Sequence, residues 1–304
     1  MMERTDRHCR FLLRLLAPHA WLYTEMITAV AVARGDREHL LAFHPEEHPV
    51  ALQLGGNDPS ALAAAAHHGQ QAGYDEINLN VGCPSDRVRS GRFGAALMAA
   101  PERVAECVAA MSDRVRVPVT VKTRLGIDDC DSYGFLRNLV HHVARAGCQT
   151  VIVHARKALL SGLSPKENRE IPPLDYERVY RLKTDFPALE VVINGGLDGV
   201  QKSRAQLDYV DGVMLGRRAY QEPYLLAALD AALFGHDRVP SREHALAAYL
   251  RYIRHELSRG TPLKGMTRHL MGLYAGQPGA RRWRRLLSEL PPGEAGLAAL
   301  AAVL

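Results

Sequence analysis

The segment Asn78-Leu79-Asn80-Val81-Gly82-Cys83-Pro84 brings two asparagines, a cysteine and two backbone-shaping residues into seven positions. Cysteine is usually a small buried hydrophobe, and Cys107 and Cys148, in apolar helical or helix-end contexts, read that way. Cys83 instead follows a strand end, sits between Gly82 and Pro84, and opens a stretch containing Gly91 and Gly94 that is suited to a lid. No histidine or carboxylate beside it in sequence marks an activated thiolate. An ordinary thiol, with a pKa of about 8.5, is mainly protonated at neutral pH, so Cys83 reads as a proton donor no less than as a nucleophile. Lys122, in Val119-Thr120-Val121-Lys122-Thr123-Arg124, offers an ammonium to an electron-rich ligand atom or forms a rim salt bridge. Gln53 and His154 end equivalent apolar runs and offer neutral hydrogen bonding. Asn194-Gly195-Gly196 and Gly216-Arg217 have the composition of an anion site, because glycine lets backbone N–H groups approach and arginine adds a two-pronged donor.

These residues share a position: each ends a short, near-continuous apolar run. The runs are Trp21–Thr28, Val50–Gly56, Glu76–Val81, Val117–Thr123, Thr150–His154, Glu190–Asn194 and Gly212–Leu215, as expected of strands buried on both faces of a parallel sheet. Amphipathic or Ala-rich helical segments alternate with them: Pro59–Ala72, Pro101–Ser112, Ser132–Ala146, Leu174–Phe186 and Asp198–Leu207, with Asp58 and Asp198 as helix-start signals. A barrel gathers the carboxyl ends of all its strands around one site, whereas an open sheet uses mainly its switch point. The pattern therefore predicts an α/β fold of the TIM (β/α)8 barrel type. Seven runs are visible, so the first strand is expected to be missing or truncated, with Met1-Met2 its remnant or the true start upstream. On that count the two glycine sites follow strands 7 and 8, the common phosphate position of the fold.

After Gly235 no strand signal appears, and Val239-Pro240-Ser241 reads as a linker and helix cap. The expected organisation is a barrel over 1–238 and a small all-helical domain over 239–304. The net charge of +5 is unevenly placed: residues 241–304 carry ten basic and four acidic side chains, so the rest is nearly neutral. A basic appendage suggests a polyanion partner, and a solvated basic helix is the alternative. Trp283 within it is either a stacking platform or core. With 47% hydrophobic and 23% charged residues the chain is neither disordered nor fibrous. Five cysteines without a C-x-x-C pair argue against a disulfide framework or a zinc knuckle, and no metal site is expected. The charged first residues do not form a signal peptide, and no apolar stretch approaches the roughly 18 residues of a membrane span, so a cytoplasmic location is expected.

Beyond these readings, the sequence closely resembles the tRNA-dihydrouridine synthases of the A type, which modify the D-loop. The resemblance is carried by Thr5–Arg10, Tyr23–Met26, Leu52–Gly56, YDEINLNVGCPSD (Tyr74–Asp86), VKTRLG (Val121–Gly126), VHAR (Val153–Arg156), GLSPKENREIPPLD (Gly162–Asp175), INGG (Ile193–Gly196) and GQPGARRWRRLLSE (Gly276–Glu289), almost the whole chain. It implies an enzyme in which NADPH reduces bound FMN and the flavin reduces a tRNA uridine, at positions 20 and 20a, to 5,6-dihydrouridine. It places Gln53, Lys122 and His154 against the flavin ring, Asn194, Gly195, Gly196, Gly216 and Arg217 at its phosphate, and Cys83 as proton donor. Asn80 falls beside the uracil, and Lys166, Arg169, Arg282 and Arg285 fall where tRNA is expected. The family has an Ala-Pro-Met strand end before its Thr-Asp helix start that touches the flavin; here Met1 and Met2 stand in that place. A monomer without an obligate protein partner is expected. The alternatives are a flavin barrel acting on a small metabolite and a tRNA-binding protein with impaired catalysis.

Overall fold

In the computed structural model, which describes residues 1–85, 88, 90–236 and 239–303, the apolar runs become strands. They are β1 (Leu22–Tyr23), β2 (Ile27–Thr28), β3 (Val50–Gly55), β4 (Glu76–Asn80), β5 (Val119–Arg124), β6 (Thr150–His154), β7 (Glu190–Asn194) and β8 (Gly212–Met214). Every residue of β3 is buried, the outcome expected where both faces of a strand are covered. All pairings from β2–β3 to β7–β8 are parallel. Strand order follows the chain, β1-β3-β4-β5-β6-β7-β8, with β2 also on β3. Helices Pro59–Ala72, Pro101–Ser112, Tyr133–Arg145, Tyr176–Asp185 and Val200–Gln206 return the chain between strands. Parallel strands wound in chain order through helices are the TIM-barrel arrangement, whereas a doubly wound sheet reverses its order at a switch point. Among the described residues no strand precedes the helix Arg7–Leu16, and β8 pairs with β7 alone.

Two local expectations change. The run Trp21–Thr28 is not one strand, because the Thr24 hydroxyl accepts the Gln53 N–H at 2.9 Å and donates to the Glu25 carbonyl at 2.7 Å. A side chain thus replaces a ladder carbonyl, and the backbone leaves the sheet between β1 and β2. Asp198 does not cap the helix at Val200, which starts from Gly199; it pairs with Lys202 at 3.7 Å. Asp58, Ser132 and Asp175 do cap their helices, accepting the N–H groups of Ala61, Phe135 and Arg178.

The chain forms two compact units: Tyr23–Ala42 with Val50–Leu215, and Met1–Leu22 with Phe43–Pro49 and Gly216–Leu304. This division differs from a cut at 238/239 for a reason visible in the core of the second unit. Phe11, Leu12 and Leu16 of the first helix share one apolar cluster with Leu246, Tyr249, Ile253, Met266, Leu270 and Trp283. Asp6 caps that helix at Cys9 N (2.9 Å) and takes the His269 imidazole at 2.9 Å, so the amino-terminal segment is tied to the helical tail. Trp283 is core: it is buried, and its indole N–H donates to the Leu270 carbonyl at 2.8 Å. Among the described residues no helix is long and apolar enough to cross a membrane.

Candidate active site

Parallel register sets the chemistry of the strand ends. Gln53 on β3 pairs with Asn78 on β4, Asn80 with Lys122 on β5, Arg124 with His154 on β6, and His154 with Asn194 on β7. Polar side chains spaced far apart in sequence therefore stand on adjacent strands at the carboxyl ends. Beneath them runs a buried chain of hydrogen bonds with a single direction. The N–H groups of Gly82 and Cys83 both donate to Asn80 Oδ1 at 3.0 Å, and Asn80 Nδ2 donates to Gln53 Oε1 at 2.7 Å. Gln53 Nε2 donates to Asn78 Oδ1 at 2.9 Å, Asn78 Nδ2 to Thr120 Oγ1 at 2.8 Å, and Thr120 Oγ1 to Glu76 Oε1 at 2.6 Å. The Tyr23 hydroxyl donates to the same Glu76 oxygen at 2.9 Å. A carboxylate accepts only, so Glu76 orients every amide above it. Burial raises the Glu76 pKa against the lowering effect of the Thr120 and Tyr23 hydrogen bonds. The chain thereby aims the Gln53 amide and the amides of the Cys83 loop in one defined sense.

The Cys83 loop is held by backbone groups. Its carbonyl accepts the Ala95 N–H at 2.9 Å. Gly94 has φ +61°, and a Cβ there would stand 2.7 Å from the Cys83 carbonyl oxygen, so glycine is required by both conformation and space. The Gly91–Gly94 stretch, expected to be a lid, is in this part a support for the cysteine. Arg124 is buried and spans three loops, donating to the carbonyls of Gly82 (2.9 Å), Lys157 (3.0 Å) and Asn168 (2.9 Å). The Cys83 thiol is partly exposed and donates weakly to Ser85 Oγ at 3.5 Å. Asp86, the end of the CPSD motif, lies outside the described residues.

Lys122 makes no hydrogen bond or ion pair among the described residues; burial and then the Arg124 guanidinium lower its pKa to about 8. His154 is 8% exposed and its Nδ1 is buried without a hydrogen-bond partner among the described residues. Burial, followed by repulsion from Arg124 and Lys122, holds its pKa well below the usual imidazole value, so it is neutral at pH 7. Gly195 and Gly196 have φ of +112° and +68°; a Cβ on Gly195 would press on the His154 ring at 3.3 Å, and one on Gly196 would reach Leu174 at 2.5 Å. Asn194 donates to the Met214 carbonyl at 2.7 Å, joining β7 to β8. A cation and a neutral imidazole nitrogen without partners among the described residues, together with an oriented amide, suit an electron-rich heteroaromatic ligand.

Not every expected residue joins this cluster. Lys166 is exposed and Arg169 partly so, on a loop organised by the buried Asn168, whose amide bonds both the N–H (2.7 Å) and the carbonyl (2.9 Å) of Leu159. Met1, Met2, Gly216, Arg217, Arg282 and Arg285 belong to the other unit. There a Cβ on Gly216 would stand 3.6 Å from the Met1 sulfur, and Met2 is exposed. Arg282 and Arg285 are exposed on the helix Ala280–Glu289, whose Trp283 and Leu287 are buried. Sequence reasoning missed Glu76, Asn78 and Thr120 as a set, the span of Arg124, and Gly94 as a support. Only the VKTR and YDEINLN strings hinted at them, through polar residues inside otherwise apolar strands.

The dihydrouridine synthase (Dus) family model matches residues 1–302. The chain is 56% identical over 291 residues to the tRNA-dihydrouridine(20/20a) synthase of Vibrio cholerae, covering 95% of this chain and 89% of that one. It is 57% identical over 291 residues to the protein of the same name from Escherichia coli K12, covering 95% and 84%. The corresponding protein of Xanthomonas axonopodis pv. citri is 57% identical over 289 residues, covering 95% and 86%. The agreement extends from the strand ends that carry the oriented amides to the helical tail, and on it the chain belongs to the dihydrouridine synthase family, whose members are flavin-dependent oxidoreductases.

Proposed function

We propose that this chain reduces uridine to 5,6-dihydrouridine at positions 20 and 20a in the D-loop of tRNA, using bound FMN, NADPH as reductant and Cys83 as proton donor. The observation that carries the reading is the one-way hydrogen-bond chain from Glu76 to the Cys83 amide, in a member of this family. The residues fit a flavin: among the described residues His154 Nδ1 is buried without a hydrogen-bond partner and Lys122 has no ion-pair partner, and Gly195-Gly196 leave the room that side chains would fill. Gln53, Lys122 and His154 would hold the ring and Asn194, Gly195 and Gly196 the phosphate; the family resemblance assigns Gly216 and Arg217 to the phosphate and Met1 and Met2 to the flavin as well. When bound, FMN supplies the hydride.

Reduction at C6 of uracil leaves negative charge on C5 and the C4 carbonyl. The Cys83 thiol gives its proton to C5, and the thiolate that remains is attracted by Lys122 and Arg124. With a pKa of about 8, Lys122 is largely an ammonium at pH 7. Asn80, whose Nδ2 bonds Gln53 and whose Oδ1 bonds the Cys83 loop, positions the proton donor against the base. A uridine must leave its stack to reach this site, a cost of a few kcal/mol that a single-stranded loop lowers. The helical segment 239–304 would bind tRNA through Arg282 and Arg285, with Lys166 and Arg169 contributing from the loop after β6. The protein would act as a cytoplasmic monomer.

The purified chain should be yellow, should oxidise NADPH faster with unmodified tRNA than without it, and should leave dihydrouridine at positions 20 and 20a. Turnover independent of RNA would instead indicate a small-metabolite barrel, and tRNA binding without NADPH oxidation an impaired enzyme. The logarithm of the affinity for tRNA should fall linearly with the logarithm of the salt concentration. In Arg282→Ala/Arg285→Ala the slope should be shallower by about 1 to 2. An unchanged slope, read by filter binding at several salt concentrations, removes these arginines from the interface.

A further inference from the structure

Within the unit that carries the helical tail, His19, Asp230 and His236 converge on one point. His19 Nδ1 and His236 Nε2 lie 2.9 Å and 2.8 Å from the same carboxylate oxygen, Asp230 Oδ2. The other oxygen, Oδ1, accepts the His19 backbone N–H at 3.0 Å, which fixes the carboxylate in place. The Asp230 side chain is 1% exposed, and among the described residues its ion-pair partners are these two imidazoles, with no lysine or arginine. A buried carboxylate is costly unless positive charge stands beside it, and among the described ion-pair partners that charge can come from the two imidazoles or from a cation held between them and Oδ2. The surroundings favour a cation as well. Asp230 lies in the last turns of the helix Leu225–Phe234, and His236 follows its cap Gly235, so the negative end of that helix faces the cluster.

The geometry points to a divalent transition-metal site, best matched by Zn²⁺, with His19 Nδ1, Asp230 Oδ2 and His236 Nε2 as ligands and water completing the shell. The three ligand atoms lie within 4.8 Å of one another. Ligands around a tetrahedral zinc at 2.0–2.1 Å stand about 3.3 Å apart, so side-chain rotations of well under a turn admit the ion. The side chains that must move are the accessible ones, His19 at 50% and His236 at 26% exposure, while Asp230 stays fixed. Two imidazoles and a carboxylate make a borderline donor set that prefers zinc and its neighbours to magnesium or calcium. With residues 19 and 230 distant in sequence, a bound ion would clamp the loop after the first helix to the end of the helix Leu225–Phe234 and stabilise this unit.

The test is calorimetric titration of Zn²⁺ into the chelator-stripped full chain, with thermal melting in parallel. One saturable equivalent should bind, and His19→Ala and His236→Ala should each weaken it by about tenfold or more. Zinc should raise the melting temperature of the unmodified chain and not that of the variants. His19 is exposed and His236 half-buried, and a melt without metal will show whether each variant is folded. If a variant is not, Co²⁺ added to the unmodified chain decides: d–d absorption without a thiolate charge-transfer band supports the site, and a thiolate band places the ion on cysteine and overturns it. Absence of saturable binding, or unchanged binding in both folded variants, also overturns it.

Discussion

Replacing Cys83 with alanine should leave bound FMN and NADPH-driven flavin reduction intact while tRNA turnover falls by about 10²- to 10⁴-fold, the range of a lost general acid. The separation is expected because the loop does not depend on its sulfur. Its position comes from the Gly82 and Cys83 amides on Asn80, the Cys83 carbonyl on Ala95 N and the Gly82 carbonyl on Arg124. Alanine keeps all four bonds and removes the proton. Serine at the same position keeps a donor of far weaker acidity and should recover little. Stopped-flow flavin absorbance separates the two half-reactions: reduction by NADPH should match the unmodified chain, and reoxidation by tRNA should be slowed. Reoxidation by tRNA at the unmodified rate would take Cys83 out of the mechanism.

A second large effect is expected from Asn78→Asp, a change of one atom group at a fully buried position. The present amide receives from Gln53 and donates to Thr120, which keeps the donor direction continuous down to Glu76. Aspartate cannot donate. Thr120 must then choose between two carboxylates, and two buried acids become neighbours. Stability should fall by about 2–4 kcal/mol, the cost of a broken buried network with a poorly compensated charge. Flavin retention should change less, because a carboxylate oxygen still accepts from Gln53 Nε2 and the bond that is lost is the one to Thr120. The sign with pH is definite. Burial raises the carboxyl pKa in the folded state, as it already does for Glu76. A group raised in the folded state contributes stability that is present below its unfolded pKa and lost as pH rises through the folded one. The deficit relative to the unmodified chain should therefore shrink as pH is lowered from neutrality toward the ordinary carboxylate range. Urea unfolding midpoints at two pH values measure this, and equal midpoints for both chains would show that the direction of the network does not matter.

Much of the barrel was legible before any coordinates. Parallel strands buried on both faces must be continuously apolar, so the runs at β3 to β8 stood out, as did the polar residue that ends each. The same logic misread Trp21–Thr28, because a threonine hydroxyl standing in for a ladder carbonyl leaves no trace in hydropathy. Asp198 resembled Asp58 and Asp175 in type, yet which aspartate caps a helix depends on where the first turn begins, and neighbouring packing decides that. The cut at 238/239 followed a change in pattern along the chain, whereas the first helix joins the tail through contacts with residues more than two hundred positions away.

By itself the sequence determined the strand-helix alternation, the residue types at the strand ends, the basic tail and the family to which the chain belongs. These are properties of composition and local order, and strings such as CPSD and SPKENR carry them without reference to space. Tertiary structure alone decided the register that sets Gln53 beside Asn78 and Asn80 beside Lys122, and with it the direction of the buried donors. It likewise decided that Gly94 supports Cys83, that Trp283 is core, and that His19 meets Asp230 across 211 positions. Hydrogen-bond direction and ligand convergence depend on distances of a few ångström between atoms remote in the chain, and such distances exist only after the strands have paired and the helices have packed.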